Sequence, residues 1–234
     1  MITEEDFIDF KCPCCSDTIS FPMQNRGSLQ QCPMCSESLV VPDKAGDPGR
    51  AIIIPLSTER LTLRRLVPAD WSDLLEFLSN EQTFRYTSGH PLDEEAVLRW
   101  LESDPHVKLT TPDQTFFLGL TLRDGGKLIG YIGLRVAAPD LLQATITITL
   151  NPVFQKQGLA LEALQRVLNF CFQEIRLHRV AATCDSRNLP AVKLLGKAGL
   201  RREGEFVKDT LIHGEWTNTL SYAALGEEYC QTIK

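Results

Sequence analysis

Four cysteines near the N-terminus have the spacing of a metal site. Cys12 and Cys15 belong to one Cys-Pro-x-Cys turn, and Cys32 and Cys35 belong to a second, sixteen residues later. Two residues between thiolates let one turn direct both sulfurs at a single ion, and two such turns complete a closed tetrahedral site. The pattern therefore predicts a structural Zn²⁺ site, and the alternative is a set of cysteines that binds no metal.

The surrounding sequence supports this interpretation. The acidic start MITEEDFIDF lacks the basic segment of an export signal, so we expect a cytoplasmic protein whose clustered thiols stay reduced. Cys14 is a fifth thiol, which we interpret as a bystander because only the 12–15 pairing repeats the shape of 32–35. The stretch Phe10–Pro42 resembles a zinc ribbon, and we predict a ribbon-like domain over residues 1–42, too short to form a core without such a staple.

Charge limits the partners that the chain can bind. It carries 24 basic and 30 acidic side chains, a net charge of −6, and residues 1–50 hold four basic against eight acidic groups. Phosphate backbones require a basic footprint, so a nucleic-acid partner is disfavoured. No apolar run is long enough to span a membrane. For the ribbon we expect a structural role or the docking of a protein partner.

A second candidate site lies between a strand and a helix. ATITITL (144–150) alternates strictly, and after Asn151–Pro152 a short loop leads into a long amphipathic helix. The first turn of a helix leaves backbone N–H groups without internal partners, and the helix dipole favours an anion there. Gly158 permits close approach and unusual backbone angles. The loop predicts a site for a diphosphate, although an ordinary helix start remains the simpler alternative.

Alternating strand and helix patterns must position that loop. Residues 43–54, rich in Pro and Gly, predict a linker, and residues 55–234 predict a second domain of the α+β class. The predicted strands are Thr58–Leu66, Thr115–Leu122, Lys127–Val136, Ala144–Leu150, Arg179–Cys184, Leu200–Val207 and Trp216–Leu225. The predicted helices cover 68–79, 91–102, 158–174 and 190–198.

Several motifs in order resemble one enzyme family. Gln155-x-x-Gly158-x-Ala160 is similar to the (Gln/Arg)-x-x-Gly-x-(Gly/Ala) signature of GCN5-related N-acetyltransferases (GNAT). Three other segments resemble its Rim-type branch, the ribosomal-protein N-terminal acetyltransferases: TERLTLRRLVPADW, DSRNLPAVKLLGKAGLRREGEF and GEWTNTLSYAALGEEY. The resemblance extends over Pro55–Tyr229.

The resemblance implies a fold and a cosubstrate. The fold is a mixed, mostly antiparallel sheet splayed into a V between its fourth and fifth strands, here 144–150 and 179–184, and the cosubstrate is acetyl-CoA. The pantetheine arm would pair with backbone near Ile148, Thr149 and Leu150, and the N–H near Leu150 would polarise the thioester carbonyl. The expected diphosphate and nucleotide contacts are Gln155, Lys156, Gln157, Gly158, Leu159, Ala160, Leu161 and Asn188.

The implied reaction is direct attack of a primary amine, on a protein N-terminus or a small molecule, within a ternary complex. The family's fourth-strand glutamate is missing, with Thr145 nearest its place, and the tyrosine of some members falls at Leu195, so no catalytic side chain is assigned. His90, His213, Glu203 and Glu205 are proton acceptors by type only. The alternative function is an acyl-CoA-binding adaptor that turns over poorly and docks a partner through the ribbon. A homodimer is also expected.

The acceptor pocket is expected between the helical pair at 68–103 and the last hairpin. Tyr86, His90, Trp100 and Trp216 are its candidate lining, although for Trp71 and Trp100 we favour packing in the core.

Overall fold

The computed structural model describes residues 7–44, 47–111, 114–137 and 141–232. The acidic start of the chain, residues 45–46 near the start of the predicted linker, and the last two residues lie outside these ranges. The predicted boundaries at residues 1 and 234 therefore stay predictions.

The N-terminal region consists of two small antiparallel sheets. One pairs β1 (Phe7–Lys11) with β2 (Thr18–Pro22), and the other runs in the order β3 (Leu29–Gln31), β4 (Ser38–Val40), β5 (Arg50–Ala51). The third strand differs from the prediction, because Arg50–Ala51 falls in the segment interpreted as a linker and pairs with β4. After the Pro- and Gly-rich stretch the chain therefore returns to the same sheet.

An eight-stranded sheet forms the rest of the fold, in the order β12-β13-β11-β10-β9-β8-β7-β6. Its strands are β6 (Leu56–Ser57), β7 (Leu61–Arg64), β8 (Phe116–Leu122), β9 (Leu128–Val136), β10 (Gln143–Leu150), β11 (Arg179–Asp185), β12 (Arg201–Ile212) and β13 (Glu215–Leu225). Only β10 and β11 pair in parallel, which confirms the predicted mixed, mostly antiparallel sheet.

Helices cover both faces of this sheet. They are α1 (Trp71–Leu78), α2 (Glu81–Phe84), α3 (Glu94–Ser103), α4 (Leu159–Asn169), α5 (Leu189–Lys197) and α6 (Gly226–Thr232). Apolar side chains of α1 and α3 pack on one face, and those of α4 and α5 pack on the other. The helix predicted to reach residue 174 ends its α-helical part at Asn169 and continues as a π-helical turn, Phe170–Glu174.

The two central parallel strands separate along their length. β10 and β11 are paired only from Gln143–Arg179 to Thr145–Ala181, although both strands continue further. The splay predicted between the strands at 144–150 and 179–184 is therefore present.

The N-terminal region packs against the larger domain. Leu29 and Val40 belong to the same buried cluster as the apolar face of α4. The Ser38 and Thr110 hydroxyls are 3.0 Å apart, and Lys108 Nζ donates to Glu37 at 2.7 Å. The region also has its own small core, which includes Ile8, Phe10, Ile19 and Leu39.

Candidate functional site

The open edge of β10 faces the gap between β10 and β11. The Asn151 N–H donates to the Ile129 carbonyl of β9 at 2.8 Å. Backbone groups alternate between the two sides of a strand, so those of Ile148 and Leu150 point away from β9, into the gap. These are two of the residues expected to pair with a pantetheine arm, whereas Thr149 directs its backbone groups toward β9.

A tight loop connects β10 to α4. It begins at buried Asn151, whose side-chain oxygen accepts from the Val153 N–H at 3.1 Å and whose Nδ2 donates to Glu76 on α1 at 3.0 Å. A 3₁₀ turn follows at Pro152–Phe154. Lys156 and Gly158 both have positive φ, 62° and 80°. These angles turn the chain sharply into the first turn of α4.

The loop exposes the groups that an anion would need. Gln155, Lys156, Gln157 and Gly158 are all exposed, and Gly158 caps α4 without a side-chain hydrogen bond. The orphan N–H groups of the first turn are thus left for a ligand. Leu159 is buried, and Ala160 and Leu161 are half-buried. The side chains of these three residues therefore pack against the core, and only their backbone N–H groups are available to a ligand.

The two glutamines of the loop act within it. Gln155 Nε2 donates to the Leu150 carbonyl at 3.1 Å, and Gln157 Nε2 donates to the Val153 carbonyl at 3.2 Å. In this structure the Gln155 side chain therefore braces the loop against the end of β10.

A polar network outside the predicted residues holds the other end of the loop. Glu162, on the first turn of α4, accepts hydrogen bonds from the Thr58 hydroxyl and from the backbone and side chain of Arg60. Arg60 also donates Nη1 to the Gln157 carbonyl at 3.0 Å. Although partial burial acts in the opposite direction, these bonds hold the pKa of Glu162 below its ordinary value. A groove of about 490 Å³ lies beside this network.

Asn188 lies at the start of α5, beyond the end of β11. Its side-chain oxygen accepts from the Ala191 N–H at 3.2 Å, as an N-cap does, and the residue is half-buried. Leu195, at the place of the absent tyrosine, is buried. Thr145, nearest the place of the missing glutamate, is exposed. The strand β10 (QATITITL) contains no Asp or Glu, so it supplies no carboxylate.

The four proton acceptors considered by residue type do not form an acid–base site. Glu203 bonds Arg179 and Arg201, and Arg179 lowers its pKa. Glu205 pairs with Arg202 and accepts from Asn218.

The two histidines differ in their surroundings. His213 Nε2 lies 3.1 Å from the Phe84 carbonyl, so that nitrogen donates a proton there, and His90 is exposed.

Hydroxyl side chains cover the sheet face opposite α4. Register places Thr145 beside Ala181, and alternation puts the other odd-numbered residues of these strands on the same face. Thr145, Thr147 and Thr183 are exposed on it.

Three mutually packed rings border the threonines on this face, namely Trp100, Phe117 and Tyr131. Trp100 thus packs as favoured, but Trp71 is 37% exposed, so its predicted place in the core is wrong. Trp216 is exposed at the end of the last hairpin, and Tyr86 is half-buried under the Arg85 guanidinium.

The N-terminal region brings the four predicted ligand thiols together. The sulfurs of Cys12, Cys15, Cys32 and Cys35 all lie within 4.8 Å of one another. The 12–35 and 15–32 sulfur pairs are 3.8 and 3.9 Å apart. The fifth thiol, Cys14, is exposed and lies outside this group, and its N–H donates to Cys12 Sγ as that of Met34 donates to Cys32 Sγ.

Comparison with known proteins agrees with this geometry. Residues 60–201 match the family model described as the acetyltransferase (GNAT) domain. The chain is 32% identical over 176 residues to YnaD, an uncharacterized N-acetyltransferase of Bacillus subtilis (strain 168), covering 74% of this chain and 98% of that protein.

Solved structures share the fold. A GNAT-family acetyltransferase from Bacillus anthracis superposes with a TM-score of 0.67 at 28% identity, covering 74% of this chain and 99% of that one. The spermidine N-acetyltransferase from Vibrio cholerae, solved with CoA and spermine, has a TM-score of 0.65 at 21% identity, with coverages of 74% and 99%. Within the described ranges, no helix has the length and hydropathy needed to cross a bilayer.

Proposed function

The chain belongs to the GNAT acetyltransferase family, and from that premise we propose that it transfers the acetyl group of acetyl-CoA to a primary amine by direct attack in a ternary complex. The observation that carries the proposal is the exposed turn at Gly158, which leads into α4 beside an unpaired strand edge. The diphosphate would bind at the first turn of α4, and the pantetheine arm would run along Ile148 and Leu150.

The reaction needs little from side chains once both reactants are held. The neutral amine nitrogen forms a bond to the thioester carbon, the carbon–sulfur bond breaks, the thiolate of CoA leaves, and water takes the proton from nitrogen. The Leu150 N–H, directed into the gap, would stabilise the oxyanion of the tetrahedral intermediate. This scheme is consistent with a β10 that carries threonines where other members carry an acid.

The acceptor amine would lie on the threonine-covered face, next to Trp100 and Tyr131. Hydroxyl groups and aromatic rings can hold an amine by hydrogen bonds and by cation–π contact. The relative solved with spermine makes polyamines one class to test, and peptides with free N-termini, suggested by the Rim-type resemblance, are the other.

Release of free CoA thiol, measured with a panel of polyamines and peptides, tests the transfer. We expect release that depends on the acceptor and saturates with its concentration. Acetyl-CoA binding by calorimetry without acceptor-dependent thiol release would instead support the adaptor function.

The cysteine cluster fits a structural zinc ion. Four sulfurs at about 2.3 Å from a tetrahedral Zn²⁺ would be roughly 3.8 Å apart, close to the separations of the 12–35 and 15–32 pairs. Cys12, Cys15, Cys32 and Cys35 would hold the ion, which would supply cross-links between the two turns and no chemistry to the transfer. Metal analysis of the purified protein should find about one zinc per chain; a metal-free, fully folded protein would contradict this.

The proposal also covers the cellular location, the protein partner of the ribbon and the homodimer. None of Cys12, Cys14, Cys15, Cys32, Cys35, Cys171 and Cys184 forms a disulfide, which is consistent with the reducing cytoplasm that we propose. The protein partner of the ribbon and the homodimer stay predictions.

A further inference from the structure

We infer that Glu162 is a positioning residue for the diphosphate loop, acting through Arg60, an inference that rests on the proposed binding of acetyl-CoA at this loop. Neither residue belongs to the loop itself. Thr58 and Arg60 precede β7, about a hundred residues before Glu162 in the chain. The network therefore joins the edge of the sheet to the start of α4.

Glu162 holds the backbone of Arg60 with one carboxylate oxygen and the side chain of Arg60 with the other. Oε1 accepts from the Thr58 hydroxyl at 2.6 Å and from the Arg60 N–H at 2.8 Å, and Oε2 accepts from Arg60 Nε at 2.7 Å. The Glu162 side chain is only 18% exposed, against 46% for Arg60. Arg60 Nη2 lies 2.7 Å from the same Oε2. A guanidinium held through Nε and Nη2 along one edge has little freedom left, so its remaining Nη1 is fixed in direction.

That remaining nitrogen determines the direction of a peptide group in the loop. Arg60 Nη1 donates to the Gln157 carbonyl at 3.0 Å. In a trans peptide the carbonyl and the following N–H point in opposite directions, so the Gly158 N–H is directed away from Arg60. Gly158 has a φ of 80° and no side chain to restrict it, so this contact supplies a restraint that the residue itself lacks.

Removal of the Glu162 charge distinguishes a positioning role from a purely electrostatic effect on the bound anion. A carboxylate on the first turn of α4 lies at the end of the helix where an anion would bind, and it repels that anion. If charge alone mattered, Glu162→Gln would bind acetyl-CoA more tightly. If Glu162 positions the loop, the amide of Gln would release the Arg60 guanidinium and binding would weaken. The two accounts predict effects of opposite sign.

Calorimetric titration of the full chain with acetyl-CoA tests the inference. We expect Glu162→Gln and Arg60→Lys each to raise the Kd about tenfold, the latter because Lys keeps the charge but cannot make the forked contact. The matched control is Glu174→Gln, which removes the same charge from the ion pair of Glu174 with Arg166 at the C-terminal end of α4. Its Kd should stay within about twofold of wild type.

Steady-state kinetics and melting temperatures of the same variants provide a second test. The KM for acetyl-CoA should rise while the KM for the acceptor stays unchanged, in variants that remain folded at the assay temperature. A lower melting temperature with an unchanged Kd would reduce Glu162 to a structural role, and tighter binding by Glu162→Gln would overturn the inference. Failure of wild-type protein to bind acetyl-CoA would instead contradict the proposed function.

Discussion

Gly158 is the residue on which the geometry of the loop depends most directly. Its φ of 80° lies in the left-handed region, which costs an L-residue about 1–2 kcal/mol. We therefore expect Gly158→Ala to lower the free energy of unfolding by about 1 kcal/mol and to weaken acetyl-CoA binding. Urea unfolding and calorimetry measure the two effects.

Gly196 provides the matched control for this substitution. It lies inside α5, its φ is outside the left-handed region, and an added Cβ there meets nothing within 4 Å. Gly196→Ala should raise stability by about 0.5–1 kcal/mol, since Ala is the better helix former. Equal effects of the two substitutions would contradict the role of backbone conformation at Gly158.

Asp104 should make stability depend on pH. Its side chain is buried, and burial raises its pKa to about 6 despite the Arg65 guanidinium 3.0 Å away. A folded-state pKa above the unfolded value means that the stability contributed by the neutral acid is complete below about pH 4. That contribution is lost as the pH rises through about 6.

Asp104→Asn should remove this dependence. The stability of the variant relative to wild type should rise by about 2 kcal/mol between pH 4.5 and 7.5, at 1.36 kcal/mol per pKa unit. Urea unfolding at both values measures the difference. A relative stability that is the same at both pH values would contradict the raised pKa.

Local patterns in the sequence predicted the sites, and long-range contacts completed them. The cysteine turns and the Gly158 loop are defined by residues only a few positions apart, so the sequence alone predicts both the kind of site and its residues. The Glu162–Arg60 network joins residues 102 apart, and nothing local in TERLTLRRL marks Arg60 as the partner of a distant carboxylate. Gln155 is a different case. The sequence predicts it as a diphosphate contact, whereas in the structure its side chain donates to the Leu150 carbonyl.

At the scale of elements, alternation and helical spacing predicted most helices of the larger domain and each of its strands except the two-residue β6 (Leu56–Ser57). The differences have physical causes. Leu200–Val207 continues to Ile212 because β12 contains bulges and then resumes its pairing with β13, which interrupts the alternation that marks a strand. The small strand β5 has only two residues and depends on β4, so it leaves no periodic signal.

The start of α5 allows capping to be separated from cofactor contact. The Asn188 side chain caps the helix, and loss of an N-cap costs about 1 kcal/mol. Asn188→Ala should therefore lose both stability and acetyl-CoA affinity, whereas Asn188→Ser should keep the cap and lose only affinity. Thermal unfolding and calorimetry distinguish them, and a serine variant that binds like wild type would leave Asn188 as a cap alone.

At the scale of the whole molecule, the N-terminal region and the larger domain share one buried cluster. Leu29 and Val40 pack with residues of the large sheet, and polar contacts at Ser38 and Glu37 join the same surfaces. The sequence predicts two separate domains, because the Pro- and Gly-rich segment between them has the composition of a linker. Packing across that boundary depends on contacts that no local pattern encodes.

Removal of the proposed zinc should therefore destabilise the acetyltransferase domain. All three tryptophans, Trp71, Trp100 and Trp216, lie outside the ribbon, so their fluorescence reports only on the larger domain. After treatment with a chelator, we expect the fluorescence-detected melting temperature to fall by several degrees, because an unfolded ribbon uncovers Leu29 and Val40 and the surface beneath them. Cys14→Ser should contain one zinc and respond to the chelator as wild type does, because Cys14 lies outside the thiol cluster. An unchanged melting temperature in protein shown by metal analysis to have lost its zinc would mean that the ribbon unfolds independently.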